Sequence, residues 1–276
     1  MDKQHTLKTA ISYAGVGLHS GREVRMTLCP APVETGILFR RVDQAGRPEV
    51  QASAANVTST VRATTIEANG TKFFTIEHLM SAFSAAGIDN CVVELDAEEP
   101  PVGDGSALVF LDLLQEAGKK EQAAPHPSVI IDQVFRVDDE DRFIMALPYD
   151  GLRVTFTSLN PHPLVGIQYA DVIIDEASYR REIAPARTIA YEKEIDALRQ
   201  MGLGLGGTLE NVIVYNDEKW LNTLRYPDEL VRHKILDVIG DLRLAGTVRG
   251  HIIAVKSAHA LNTALARKIY DAYTAR

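Results

Sequence analysis

The sequence predicts an α+β protein made of two β-then-αα units, and three observations carry that prediction. Strand-like segments open each half, as where Val24, Met26 and Leu28 alternate with polar residues at the period of a half-buried strand. Two helix patterns separated by one strand close each half. The two halves also rhyme. His78 lies in the first of the paired helices in one half, and His233 lies in the corresponding helix of the other. The next helix begins 28 residues after His78, at Ser106, and about 26 after His233, at His259. Each unit then has one apolar sheet face and two helices to cover it. Packing the helices of one unit on those of the other brings the two histidine-bearing helices together.

In order, strands are expected at 6–13, 22–29 and 36–43, with short strands and loops from 44 to 72. The glycines of GVGLHSG (15–21) mark a tight turn carrying His19. A helix follows at 75–87, with Thr75 as N-cap and Gly87 as stop, then a strand at 90–96, a proline- and glycine-rich loop at 98–106 and a helix at 106–118. The polar stretch 119–127 reads as a linker, which sets the units at 1–123 and 124–276. Strands at 128–137, 143–148, 152–158 and 168–174 restart the pattern, followed by helices near 176–183 and at 191–201. A glycine-rich turn (202–207) leads to strand 211–216, helix 227–246, strand 250–257 and a closing helix from about 258 to 274.

Helix 227–246 organises the rest. Pro227 suits its first turn, Asp228 and Glu229 complement its positive end, and Gly246 suits its stop. It is apolar around much of its circumference and so should be buried. Yet His233, Asp237 and Asp241 recur in it at steps of four, on nearly one face. Buried carboxylates need a cation or a polar network. Two readings fit: a structural network with Lys234 or Arg243, or a metal site using His233 and Asp237 with a further ligand from elsewhere.

The 276 residues suffice for one large domain or two ordinary ones. Apolar residues make up 46% and charged residues 24%, as in a soluble protein with a substantial core. The net charge of −8, without a basic cluster, argues against nucleic acid and anionic membrane as partners. Cys29 and Cys91 read as free thiols, too few for a thiolate metal site. No run approaches the ~18 apolar residues of a membrane span, and no leader is visible, so the expectation is a cytoplasmic protein. GLGLGG (202–207) matches Gly-x-Gly-x-x-Gly only formally, because a helix precedes it and a strand follows.

Glu77 and His78 could supply a general base and a metal ligand side by side. His78, His233 and Asp237 together would make a two-histidine, one-carboxylate zinc site with a position left open for water. Asp241 beside His259 would favour an imidazolium and so a general acid. Lys234 and Lys256 could bind an oxyanion or phosphate, though solvated lysine is the default reading, and Thr188 on its own carries no signal. His5, His126, His162 and His251 suggest no partner.

GVGLHSG, TIEHLMSAF (75–83), the DGS of 104–106, ART (186–188), GLGLGG, HKILDVIGD (233–241) and KSAHALN (256–262) occur in the order, and at spacings, that resemble the UDP-3-O-acyl-N-acetylglucosamine deacetylases, zinc amidases of lipid A synthesis. The resemblance covers essentially the whole chain. It implies helices packed between two outer sheets, with one catalytic Zn2+ (Fe2+ would also suit) held by His78, His233 and Asp237. Glu77 would be the base, His259 the acid tuned by Asp241, and Thr188 an oxyanion donor. Lys234, Lys256 and His19 would contact the sugar or diphosphate of a UDP-linked acylated amino sugar. An insert at roughly 189–216 would form the acyl passage, lined by Leu18, Ile195, Gly207, Leu209, Val212 and Val214. A monomer is expected. Three positions depart from the family pattern: Ile189 where phenylalanine is usual, Gly103 where a bulkier residue is usual, and Leu159 where an aromatic often serves the uracil.

Overall fold

The computed structural model describes residues 2–274. The first half runs β1 (Lys3–Leu7), β2 (Ile11–Val16), β3 (Glu23–Pro30), β4 (Ile37–Arg41), β5 (Glu49–Gln51), β6 (Val57–Ser59), β7 (Thr65–Ala68), β8 (Thr71–Phe73), α1 (Glu77–Ala86), β9 (Cys91–Leu95) and α2 (Leu108–Ala117). The second runs β10 (Lys119–Pro125), β11 (Ser128–Ile130), β12 (Phe135–Asp139), β13 (Arg142–Leu147), β14 (Leu152–Leu159), β15 (Ile167–Ile174), α3 (Glu176–Ser178), β16 (Ile189–Tyr191), α4 (Glu192–Gln200), β17 (Ile213–Tyr215), α5 (Glu229–Leu242), β18 (Thr247–Val255) and α6 (His259–Thr274).

Two sheets share one plan. The first has the order β2-β3-β9-β4-β5 and the second β12-β13-β18-β14-β15, with β11 also pairing β18. In each, two antiparallel hairpins flank the last strand of the half, which is parallel to one neighbour (β4 or β14) and antiparallel to the other. Alternation turns one face of each inward. Val24, Met26 and Leu28 are buried on β3, and Val248, Ile252 and Ala254 on β18. Both inner faces meet the helices in one continuous core containing Phe39, Val93, Leu79, Phe83, Ile235, Val238, Phe156 and Ile252.

Across the halves, α1 packs closely against α5. A β-carbon at Gly240 would lie 2.0 Å from the Glu77 carbonyl oxygen, so only glycine allows the two backbones to approach this closely.

Several elements differ from the sequence expectation. The polar stretch 119–127 is not a free linker: β10 pairs with β1 in a two-stranded sheet. It buries no apolar face. Instead Gln122 donates to the Ala31 carbonyl and accepts from Asn90, contacts that leave no hydrophobic period to read. The expected strand 6–13 is two strands. Thr75 does not cap α1; it has φ 56°, and its hydroxyl donates to Glu99. Gly87 does stop α1, in a left-handed conformation. Past Leu242, α5 tightens into a 3-10 turn before Gly246. The insert forms a small β16-α4-β17 unit whose two strands are parallel.

Candidate metal centre

Glu77 and His78 open α1, while His233, Asp237 and Asp241 line one face of α5, as their four-residue spacing requires. The close crossing at Gly240 lays the first pair against the second row. The start of α5 is anchored by Glu229, which takes the buried Arg187 guanidinium at 2.9 and 3.2 Å. That pairing holds the 186–188 stretch beside the helix. His233 Nδ1 lies 3.0 Å from the Ala186 carbonyl oxygen and donates to it, which fixes the tautomer and leaves Nε2 as the lone-pair nitrogen.

One nitrogen from each of His78 and His233 and one carboxylate oxygen of Asp237 lie within 4.8 Å of one another, all buried. Asp237 Oδ1 is 3.4 Å from His233 Nε2 and 3.8 Å from His78 Nε2. It has no hydrogen-bond partner, and a buried carboxylate oxygen without one is costly. The other oxygen, Oδ2, accepts from Lys234 at 2.9 Å. Burial opposes the Asp237 charge, but Lys234 and then His233 outweigh it and hold the carboxyl well below its ordinary range. Burial, with His233 adding, depresses His78 to about 3, and burial likewise lowers His233. Two neutral imidazoles and an ionised carboxylate aimed at one point form a donor set that suits zinc or ferrous iron. The structural-network reading is also partly realised, through Lys234; Arg243 takes no part and donates to the Ile88 carbonyl.

Beside the cluster lies an acid–base pair. Burial pushes Glu77 up to about 7, with Asp241 and Asp237 adding and His259 opposing. Glu77 Oε1 is 3.9 Å from His259 Nε2. His259 Nδ1 donates to Asp241 Oδ2 at 2.9 Å. Burial disfavours the imidazolium, but Asp241 and Glu77 outweigh it and raise His259 to about 10. A carboxylate titrating near 7 and a cationic imidazole facing it can accept and deliver protons around one reaction centre.

These residues line a cleft of about 300 Å3 that also contains Leu18, His19, Thr188 and Ile189. It adjoins an apolar cavity of about 290 Å3 lined by Ile195, Gly207, Leu209, Val212 and Val214, and the two share Ala190, Leu198, Gly204 and Val212 as wall. Leu18 packs with Val102, Val212 and Val214 at their junction.

The sequence profile of the UDP-3-O-acyl N-acetylglycosamine deacetylase (LpxC) family matches residues 4–271. The chain belongs to that family. It is 46% identical over 274 residues to the UDP-3-O-acyl-N-acetylglucosamine deacetylase of Hahella chejuensis, covering 98% of this chain and 91% of that one. The deacetylases of Marinobacter nauticus and Alcanivorax borkumensis are each 45% identical, with 98% of this chain and 90% of theirs covered. A metal-dependent deacetylase family accounts for a buried His-His-Asp cluster with an adjoining proton-transfer pair.

The structure brings together fifteen of the sixteen residues singled out in the sequence, around the cleft, behind it or along the cavity. Lys256 is the exception. It does not line the cleft, and its ammonium pairs with Asp141. Three contributors were not foreseen. Thr64 donates its backbone N–H to Glu77 Oε2 at 3.0 Å and its hydroxyl to Asp241 Oδ1 at 2.5 Å. Asn262 donates to Asp241 Oδ2 at 2.9 Å, and its place three residues beyond His259 on the same helix was a readable signal. Glu99 accepts from the His19 and Ser20 amides and from Thr75, tying the glycine-rich turn to the start of α1. His126, which suggested no partner in the sequence, faces Asp89 at 2.8 Å. Among the described residues no helix is long and apolar enough to cross a membrane.

Proposed function

We propose that the chain removes the acetyl group from the 2-acetamido nitrogen of UDP-3-O-acyl-N-acetylglucosamine, releasing acetate and a free amine, as a zinc enzyme of lipid A synthesis. The observation that carries this reading is the orphaned Asp237 Oδ1 facing two neutral histidines, with Glu77 and His259 alongside. His78, His233 and Asp237 would hold the ion. When bound, zinc supplies Lewis acidity, lowering the pKa of the attacking water towards about 7 and polarising the amide carbonyl. Glu77 receives the proton from that water. Thr188 donates to the oxyanion that develops on the carbonyl. His259, kept cationic by Asp241, protonates the departing amine nitrogen. Lys234 holds Asp237 ionised from one side, and His19 stands at the cleft wall. The apolar cavity takes the 3-O-acyl chain along Leu18, Ile195, Val212 and Val214, with Gly207 and Leu209 further along.

The same reading gives the molecule two units, 1–123 and 124–276, derived by duplication, with the helices as the inner layers between two sheets. The identical strand order of the sheets and the α1–α5 contact support it. Each unit contributes ligands: His78 from one, His233 and Asp237 from the other.

Acetate release from UDP-3-O-acyl-N-acetylglucosamine should appear with metal-replete protein and disappear on chelation without unfolding. Varying the acyl length locates the optimum set by the cavity and by Ile189. No release at any chain length, with one metal bound per chain, would overturn the reading.

A further inference from the structure

A UDP-linked substrate brings a diphosphate, and the two lysines expected to meet it already have carboxylate partners. Lys234 is bonded to Asp237, and Lys256 pairs with Asp141 outside the cleft. Among the described residues the cleft wall contains one guanidinium, that of Arg62. Arg62 lies in the 60–64 turn between β6 and β7, with φ 64°, a left-handed conformation that a non-glycine residue rarely holds without support. The support is two residues away, where Thr64 is bonded both to Glu77 and to Asp241. Arg62 is therefore placed by the same network that places the catalytic carboxylates.

Its guanidinium donates to Glu194 Oε2 on α4 at 3.1 Å, joining the turn to the insert. Both side chains are half-exposed, at 53% and 50%, so the pair contributes little to stability and is exchanged at little cost. A guanidinium also matches a phosphate with two parallel hydrogen bonds, which a lysine cannot do.

We propose that Arg62 is a specificity-determining anion anchor, exchanging Glu194 for the diphosphate of the substrate. Glu194 is then a resident competitor that keeps the guanidinium over the cleft until the nucleotide arrives. The proposal rests on the deacetylase reading for its substrate class. Its test does not require turnover.

The experiment is calorimetric titration of the metal-loaded protein with UDP, for wild type, Arg62→Gln and Glu194→Gln, with thermal unfolding to confirm that each variant is folded. Arg62→Gln should weaken UDP binding by roughly tenfold to a hundredfold, the range for a lost charge-assisted hydrogen bond. Glu194→Gln should tighten it by about twofold to fivefold, the scale of a removed exposed ion pair. In turnover, Arg62→Gln should raise KM for the UDP-linked substrate while kcat stays within about threefold, since an anchor remote from the reacting amide contributes binding shared by ground and transition states. Equal UDP affinity in all three proteins, or no measurable UDP binding by wild type, would overturn the proposal. So would changes confined to thermal stability, which would make Arg62–Glu194 a structural clasp. Failure of the deacetylase reading shows separately, as wild-type protein that binds UDP but releases no acetate.

Discussion

The seam between α1 and α5 and the β16-α4-β17 insert are both parts of one site, yet they are built on opposite principles. The seam is mostly buried, and among its described side chains Asp237 Oδ1 is a fully buried oxygen without a hydrogen-bond partner. The insert covers a cavity. None of the α4 side chains is fully buried, and Met201, Leu205 and Leu209 are exposed. Its base is held by aromatic contacts, with Tyr191 stacked on Tyr215 at 5.0 Å between ring centres and Trp220 beyond. Proton transfer and metal binding, the roles proposed for the seam, tolerate little displacement, and the seam is where packing is rigid. A passage for a long apolar chain, the role proposed for the insert, requires only a greasy wall, and the insert is where packing is loose.

Changes at the seam should therefore be severe and changes in the insert graded. Glu77→Gln should cut acetate release by about 10²–10⁴-fold, the usual contribution of a general base, with one metal still bound per chain by elemental analysis. Retention of near-wild-type turnover would remove Glu77 from that role. Gly240→Ala forces the β-carbon against the Glu77 carbonyl, so a loss of about 1–3 kcal/mol in denaturant unfolding should accompany a fall in kcat. An unchanged midpoint would mean that the seam can open.

His259 sharpens the comparison through pH. Its folded pKa of about 10 lies above the ordinary 6.5, so its ion pair with Asp241 stabilises the protein fully below pH 6.5 and is lost as pH rises through 10. As general acid it must be protonated, so activity should fall on the alkaline side near pH 10. His259→Gln should abolish that limb as well as lowering the rate; a limb of unchanged position would count against the assignment. The smallest effect belongs to the insert. Val212→Phe should shorten the preferred acyl chain and raise KM for the longest substrates by roughly tenfold, with short-chain kcat little changed. A uniform loss across chain lengths would show that the cavity wall also shapes the catalytic cleft.

The seam was also the more legible region. His233, Asp237 and Asp241 announce themselves because carboxylates four apart in an apolar helix have no inexpensive explanation. The repeat of two helices and a strand located the partner helix with Glu77 and His78. In the insert the helix at 191–201 and the strand at 211–216 were legible, but its role as an acyl passage came from the resemblance alone, because exposed residues and short strands do not mark a cavity. Thr64 and Arg62 were invisible, since a polar turn between short strands looks the same whether or not it touches a catalytic carboxylate. The ion pair of Lys256 was invisible for a related reason. Lysine near a histidine suggests an anion site, and nothing in the sequence shows that Asp141, 115 residues earlier, claims its charge.

The close approach at Gly240 has a consequence for motion. It lies on α5 between Asp237 and Asp241, so a hinge between the halves could not open there without pulling His78 away from its co-ligands. Rocking of one half against the other about this contact would pull the candidate metal centre apart. Entry and release of the lipid-bearing nucleotide proposed as substrate would then fall to the rim, to the 60–64 turn and the insert.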